Sequence, residues 1–181
     1  MIVYVFLADG FEEIEAICPI DILRRGNVNV VTVGVTGKLV TGSHGITVTA
    51  DKEIGELDLK TPFDMIVLPG GMPGTDNLQA NETVKMFITE AQKRYRYIAA
   101  ICAAPKILGA MGVLSGSRVT CYPGYEDELN GVVTTIESVV RDGKIITAKG
   151  AGVALEFGFE LLAALTDRTT AHKIAASMQK I

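Results

Sequence analysis

Apolar and polar positions alternate along this chain with two periods, and each period predicts its own kind of element. Residues 2–7 form a continuous apolar run of strand length. In the stretch that follows, residues 11–25, Ile14, Ile17, Ile20 and Leu23 recur at helical spacing, which predicts a helix with one apolar face. Arg24 and Arg25 followed by Gly26 mark its C-terminus. Residues 28–35 read as a second buried strand. Residues 38–50 alternate around Gly42 and Gly45, predicting a hairpin or an edge-strand excursion. A short buried strand at residues 65–68 closes on Pro69-Gly70-Gly71, a helix is expected over residues 81–94, and residues 97–101 form another buried strand. Residues 103–111 are helical in composition, residues 139–148 read as a hairpin turning at Asp142-Gly143, and two helices close the chain near 153–165 and 169–179.

This alternation predicts an α/β fold, a three-layer sandwich in which a mostly parallel sheet carries helices on both faces. No internal repeat, low-complexity tract or linker interrupts it, so one domain is expected over residues 1–181. In open α/β sheets ligands bind beyond the carboxyl ends of the strands. The turns after Leu7, Leu68 and Ile101, with the one after Cys121, are therefore the places to look for chemistry.

Composition narrows the picture by exclusion. Of 181 residues, 48% are hydrophobic and 21% charged, enough apolar surface for a core and far from a disordered or fibrous composition. The formal net charge is -4 and no Lys/Arg block occurs, which argues against a nucleic-acid partner. The N-terminal apolar run is too short to span a membrane and lacks a basic flank, so no membrane partner is expected. Cys18, Cys102 and Cys121 are odd in number and lack metal-ligand or disulfide-framework spacing. Reduced thiols in a cytoplasmic protein are the expectation.

Chemistry concentrates at Tyr97-Ile98-Ala99-Ala100-Ile101-Cys102-Ala103-Ala104-Pro105. An apolar strand runs into Cys102, and small residues on both sides permit a tight turn into a helix, as in the nucleophile elbow of α/β hydrolases. A cysteine there faces a helix N-terminus, which stabilises a thiolate. The competing reading is an inert buried cysteine. Cys18 reads as core, and Cys121, beside Tyr122-Pro123, as a near-site candidate. After the first strand comes Asp9-Gly10-Phe11-Glu12-Glu13-Ile14-Glu15. Glu12 and Glu13 read as solvated acids complementing a helix dipole. Glu15 lies near the apolar face, and a carboxyl buried there stays protonated and can donate a hydrogen bond to a thiolate. Backbone N–H groups at Gly71 and Ala103 could aim at one point and form an oxyanion hole, although Gly70-Gly71 is also compatible with an ordinary left-handed turn. No Gly-Lys-Ser/Thr follows it, which excludes a phosphate loop.

Taken together these segments resemble the ThiJ/PfpI superfamily, closest to the branch of the parkinsonism-associated protein deglycase and its bacterial chaperone-like relatives. The matching pieces are residues 9–15, Val67-Leu68-Pro69-Gly70-Gly71, Ala99-Ala100-Ile101-Cys102-Ala103-Ala104-Pro105 and Lys149-Gly150-Ala151-Gly152 with Glu156-Phe157, in order along the whole chain. The resemblance implies a flavodoxin-like sandwich, usually a homodimer, with no metal and no organic cofactor. It assigns the reactive thiol to Cys102, the carboxyl at its sulfur to Glu15, and the flanking backbone donors to Gly71 and Ala103. It implies action on small reactive carbonyls or their protein adducts, a glyoxalase or deglycase-like conversion of glyoxals to hydroxy acids. The alternative is an oxidation-sensing stress-response or chaperone-like protein that uses the same cysteine without turnover.

One position departs from the pattern. Many relatives carry a histidine after the strand that ends near Cys121, where this chain has Tyr122. Its two histidines, His44 and His172, fall in the polar hairpin and the terminal helix and read as solvated. Proton transfer then falls to Glu15 or to water, and Gly70, Tyr122 and His44 are the candidate substrate contacts. The cysteine-peptidase branch of the superfamily needs a histidine directly after the cysteine, where Ala103 stands. Class I glutamine amidotransferases need a downstream His-x-Glu that neither histidine supplies.

Overall fold

The two periods of the sequence become strands and helices in nearly the expected places. The computed structural model describes residues 1–180. The strands are β1 (Ile2–Leu7), β2 (Asn29–Gly34), β3 (Leu39–Thr41), β4 (Thr47–Thr49), β5 (Lys52–Glu53), β6 (Met65–Leu68), β7 (Tyr97–Ile101), β8 (Arg118–Val119), β9 (Val133–Thr134), β10 (Val139–Asp142) and β11 (Ile145–Ala148). The helices are α1 (Glu13–Arg25), α2 (Gly74–Ala80), α3 (Glu82–Lys93), α4 (Pro105–Ala110), α5 (Ala154–Leu165) and α6 (Arg168–Ser177).

Seven strands form one sheet in the order β10-β11-β7-β6-β1-β2-β5. All pairs in it are parallel except β10 with β11, the hairpin expected at Asp142-Gly143. β3 and β4 pair as a separate antiparallel hairpin, and β8 pairs with β9 outside the main sheet. Strand side chains alternate between two cores. Tyr4, Phe6, Ile66, Leu68, Ile98 and Ala100 point to one face, under Phe87 and Ile88 of α3 and Ile107 and Leu108 of α4. Val3, Val5, Leu7, Met65, Val67 and Ile101 point to the other, under Ala16, Ile20 and Leu23 of α1 and Phe157 and Leu161 of α5. Each core strand is buried on both sides, which is why it reads as an unbroken apolar run.

Several expectations need correction. Ile14 and Ile17 are exposed, and α1 instead buries Glu13, Glu15, Ala16, Pro19, Ile20, Ile22 and Leu23. Its inward stripe is thus rotated from the one that isoleucine spacing suggests. Gly26 caps α1 without a left-handed backbone, at φ -78. Its small size matters through packing, since a Cβ there would run into the Leu162 side chain of α5. Cys18 is half-buried rather than core, whereas Cys121 is buried in the core under α4. The short segments α2, β5, β8 and β9 have too few residues to show a period.

Candidate active site

The chain leaves β1 for β2 on one side, while β6 lies on the other, so the carboxyl ends of β1 and β6 flank a topological switch point. The turns after β1, β6 and β7 meet there. Cys102 stands on the last of these turns with φ +65, a left-handed conformation that a residue with a Cβ adopts at a cost of about 1–2 kcal/mol. Tertiary hydrogen bonds hold it in place. Its N–H donates to the Ala148 carbonyl at 2.9 Å, and its carbonyl accepts from Tyr122 N–H at 2.8 Å. The thiol is half-buried, and its sulfur accepts hydrogen bonds from the backbone N–H groups of Ala103 and Gly71. α4 begins only at Pro105 and runs for six residues. These two local N–H groups, rather than a helix dipole, are the donors that face the sulfur.

Glu15 completes the group. Its side chain is 1% exposed and forms a hydrogen bond with the Cys102 side chain. Oε2 accepts from Gly70 N–H at 2.9 Å, and the N–H of Ala151 also donates to the carboxyl. Glu12 fixes the entry of α1 by capping it, accepting the Glu15 N–H at 2.7 Å. The turn after β6 has no room for a side chain. A Cβ at Gly70 would lie 2.6 Å from both Cys102 Cβ and Glu15 Oε2. Gly71, at φ +89, needs the left-handed region to bring its N–H onto the sulfur.

Burial pushes the Glu15 carboxyl up to about 7, with the charge of Glu12 adding to it and the hydrogen bonds from Cys102, Gly70 and Ala151 opposing it. Burial also pushes the Cys102 thiol up, and an ionised Glu15 beside it pushes the same way. Two adjacent anions are unfavourable, so the pair keeps at least one proton between its members. When that proton sits on Glu15, the carboxyl donates to the sulfur instead of repelling it, and the Ala103 and Gly71 N–H groups then favour the thiolate.

Two acidic residues expected in solvent have structural roles. Glu13 is 5% exposed, and its carboxylate accepts from the N–H groups of His44 at 2.8 Å and Ile46 at 3.3 Å, and pairs with His44 Nδ1 at 2.9 Å. Burial opposes ionisation of Glu13, but these hydrogen bonds bring it down to about 2. His44 itself is exposed, as expected, and is committed to Glu13 rather than to Cys102. Glu12, Glu13 and His44 each offer a donor atom within 4.8 Å of the others. The Glu13 oxygens are occupied by the hairpin, so this set is explained by anchoring β3–β4 to α1.

Tyr122 stands where the resemblance leads us to expect a histidine. Its ring is half-exposed, and a Cβ at Gly150 would lie 3.3 Å from Tyr122 Cδ2 and 3.7 Å from Glu15 Oε1. Tyr122 meets Tyr125 edge-to-face with centroids 6.4 Å apart, and Lys106 lies over the Tyr125 ring at 5.6 Å. The structure thus brings Cys102, Glu15, Gly70, Gly71, Ala103 and Tyr122 together, and leaves His44 on the hairpin. Sequence reasoning missed Ala148 and gave no role to Ala151 within the matching Lys149-Gly150-Ala151-Gly152 segment, because both act through backbone atoms alone. It also missed the cap at Glu12, whose signal was an acid directly before the helix.

The chain is similar to known proteins over most of its length. The model of the DJ-1/PfpI family matches residues 1–164. The chain is 35% identical over 175 residues to protein DJ-1 homolog B of Arabidopsis thaliana, aligning 95% of this chain but 40% of that longer protein. It is 33% identical over 156 residues to glutathione-independent glyoxalase DJR-1.2 of Caenorhabditis elegans, aligning 85% of this chain and 82% of that one. The solved structure of oxidised Toxoplasma gondii DJ-1 superposes with a TM-score of 0.94 at 34% identity, covering 98% of this chain and 97% of that one. Among the described residues no helix is long and apolar enough to cross a membrane.

Proposed function

The chain belongs to the DJ-1/PfpI family, and we propose that it converts small glyoxals to hydroxy acids with Cys102 as nucleophile and Glu15 as acid and base. The observation that carries this reading is the contact between the Cys102 sulfur, a buried carboxyl and two convergent N–H groups. The Cys102 thiolate adds to the aldehyde carbon of methylglyoxal, the carbonyl π bond opens, and the aldehyde oxygen takes the proton of Glu15 to give a hemithioacetal. The N–H groups of Ala103 and Gly71, which hold the thiolate, shift to that oxygen as its charge develops. Glu15, ionised by that transfer, takes the proton from the former aldehyde carbon and returns it to the ketone carbon while the hydroxyl proton passes to the former ketone oxygen, leaving a lactoyl thioester. Water cleaves the thioester and frees the thiol, so methylglyoxal and water together yield lactate and a proton. Gly70 and Tyr122 border the substrate. No cofactor enters the scheme.

The test is methylglyoxal consumption with lactate detection by wild type and Cys102→Ala side by side. Lactate from the wild type and none from the variant is the expected result. No turnover by the wild type overturns the enzymatic reading.

A second reading draws on the same geometry. If Cys102 is oxidised to a sulfinate, the Gly71 and Ala103 N–H groups and a protonated Glu15 supply donors for its oxygens, which suits a sensor of oxidants. Protein that shows no turnover but oxidises selectively at Cys102 under peroxide would favour that reading. For either activity a homodimer is the proposed assembly. Ile14 and Ile17 stand exposed on α1 beside the hairpin that carries exposed Ile46, an apolar patch that a second copy would cover.

A further inference from the structure

We infer that Tyr122 makes this site selective for glyoxals carrying a flat aromatic substituent, such as phenylglyoxal, over methylglyoxal. The inference rests on the glyoxalase reading above for its chemistry, and on the rings beside Cys102 for its specificity. Tyr122 is 50% exposed, so its ring keeps surface that a bound ligand can pack on. It is not a loose side chain. Its backbone N–H is bonded to the Cys102 carbonyl, its ring edge and the Glu15 carboxyl flank the same glycine, Gly150, and Tyr125 braces it edge-to-face. Tyr125 in turn lies under Lys106, whose ammonium is fixed by Asp76 at 2.8 Å. The result is a braced aromatic shelf opening to solvent beside the sulfur.

A substrate bound as a hemithioacetal on Cys102 has its aldehyde carbon at the sulfur and its ketone substituent pointing outward. A methyl group there makes little contact with a ring. A phenyl group reaches the Tyr122 face and gains an aromatic pair, worth about threefold to tenfold in binding. Addition of the thiolate to the aldehyde of phenylglyoxal, proton transfer between the two carbons and hydrolysis of the thioester give mandelate, with one water consumed and no oxidant or reductant required.

The experiment compares kcat/KM for phenylglyoxal and methylglyoxal in wild type, Tyr122→Phe and Tyr122→Ala. The expected ratio favours phenylglyoxal by about threefold to tenfold in wild type and Tyr122→Phe, and falls toward one in Tyr122→Ala. A ratio near one in wild type, or one unchanged in Tyr122→Ala, overturns the shelf while leaving the glyoxalase reading intact. If neither glyoxal is turned over, protection of Cys102 from iodoacetamide, read by intact mass, decides the matter. Mandelate protecting better than lactate in wild type but not in Tyr122→Ala supports the shelf without catalysis. Equal protection overturns it.

Discussion

Glu13 grips His44 at two points, accepting its backbone N–H at 2.8 Å and pairing with Nδ1 at 2.9 Å, so the first turn of α1 holds the β3–β4 hairpin. The same carboxylate takes the Ile46 N–H, and Phe11 O accepts Ser43 N–H at 2.8 Å. Glu13→Gln keeps the volume but loses the charge, and hydrogen bonds to a charged group contribute about 1.5–3 kcal/mol. The hairpin is therefore expected to open more often while the sheet stays folded. Hydrogen exchange reads this directly: the amides of His44 and Ile46 exchange at least about tenfold faster in the variant, and those of β1 do not. Unchanged exchange at His44 would refute the anchoring role.

The proton on Glu15 links stability to pH. The folded carboxyl sits at about 7, against 4.5 for the ordinary group. The folded chain thus binds this proton more tightly than the unfolded one. Its contribution is fully present below pH 4.5 and is lost as pH rises through 7, a total of about 3 kcal/mol. Glu15→Gln has no such proton. Denaturant unfolding of both proteins across this window should show wild type losing about 3 kcal/mol relative to the variant. A difference that stays flat with pH would mean that Glu15 does not hold the proton.

Gly70 is a steric demand at the site. A methyl group there would lie 2.6 Å from Cys102 Cβ and 2.9 Å from the Ile101 carbonyl, so backbone must move. Gly70→Ala is expected to lower stability by about 1–3 kcal/mol. Displacing the sulfur from Glu15 by a fraction of an ångström is also expected to reduce methylglyoxal turnover about a hundredfold. Thermal unfolding and steady-state kinetics measure the two effects separately, and wild-type turnover in Gly70→Ala would contradict the close packing.

Ile14 and Ile17 offer a test of assembly that spares the core, because both are exposed on α1. Sedimentation velocity is expected to show a dimer for wild type and a monomer for the Ile14→Lys/Ile17→Lys double variant, since two charges facing their copies cannot be desolvated. A double variant that remains a dimer would place the interface elsewhere.

Much of this molecule was legible in its residues. β1, β6 and β7 are buried on both faces, so they appear as unbroken apolar runs, and the small residues around Cys102 announce a tight turn. Glu15 could be picked out because it interrupts the apolar side of α1. The rest depended on segments that meet only after folding. Glu13 is as acidic as Glu12 and adjacent to it, yet it is buried because a hairpin 31 residues away lies across it. Ile14 and Ile17 obey helical spacing and still face outward, because the stripe that α1 buries is chosen by the sheet and α5 beneath it. The Gly70 N–H reaches Glu15 across 55 residues of sequence, and no local pattern encodes that bond. Local periods follow from the chain's own geometry, one residue to the next. The upward shift of Glu15 follows from burial, against the pull of fixed donors, and both exist only once distant turns have closed around it.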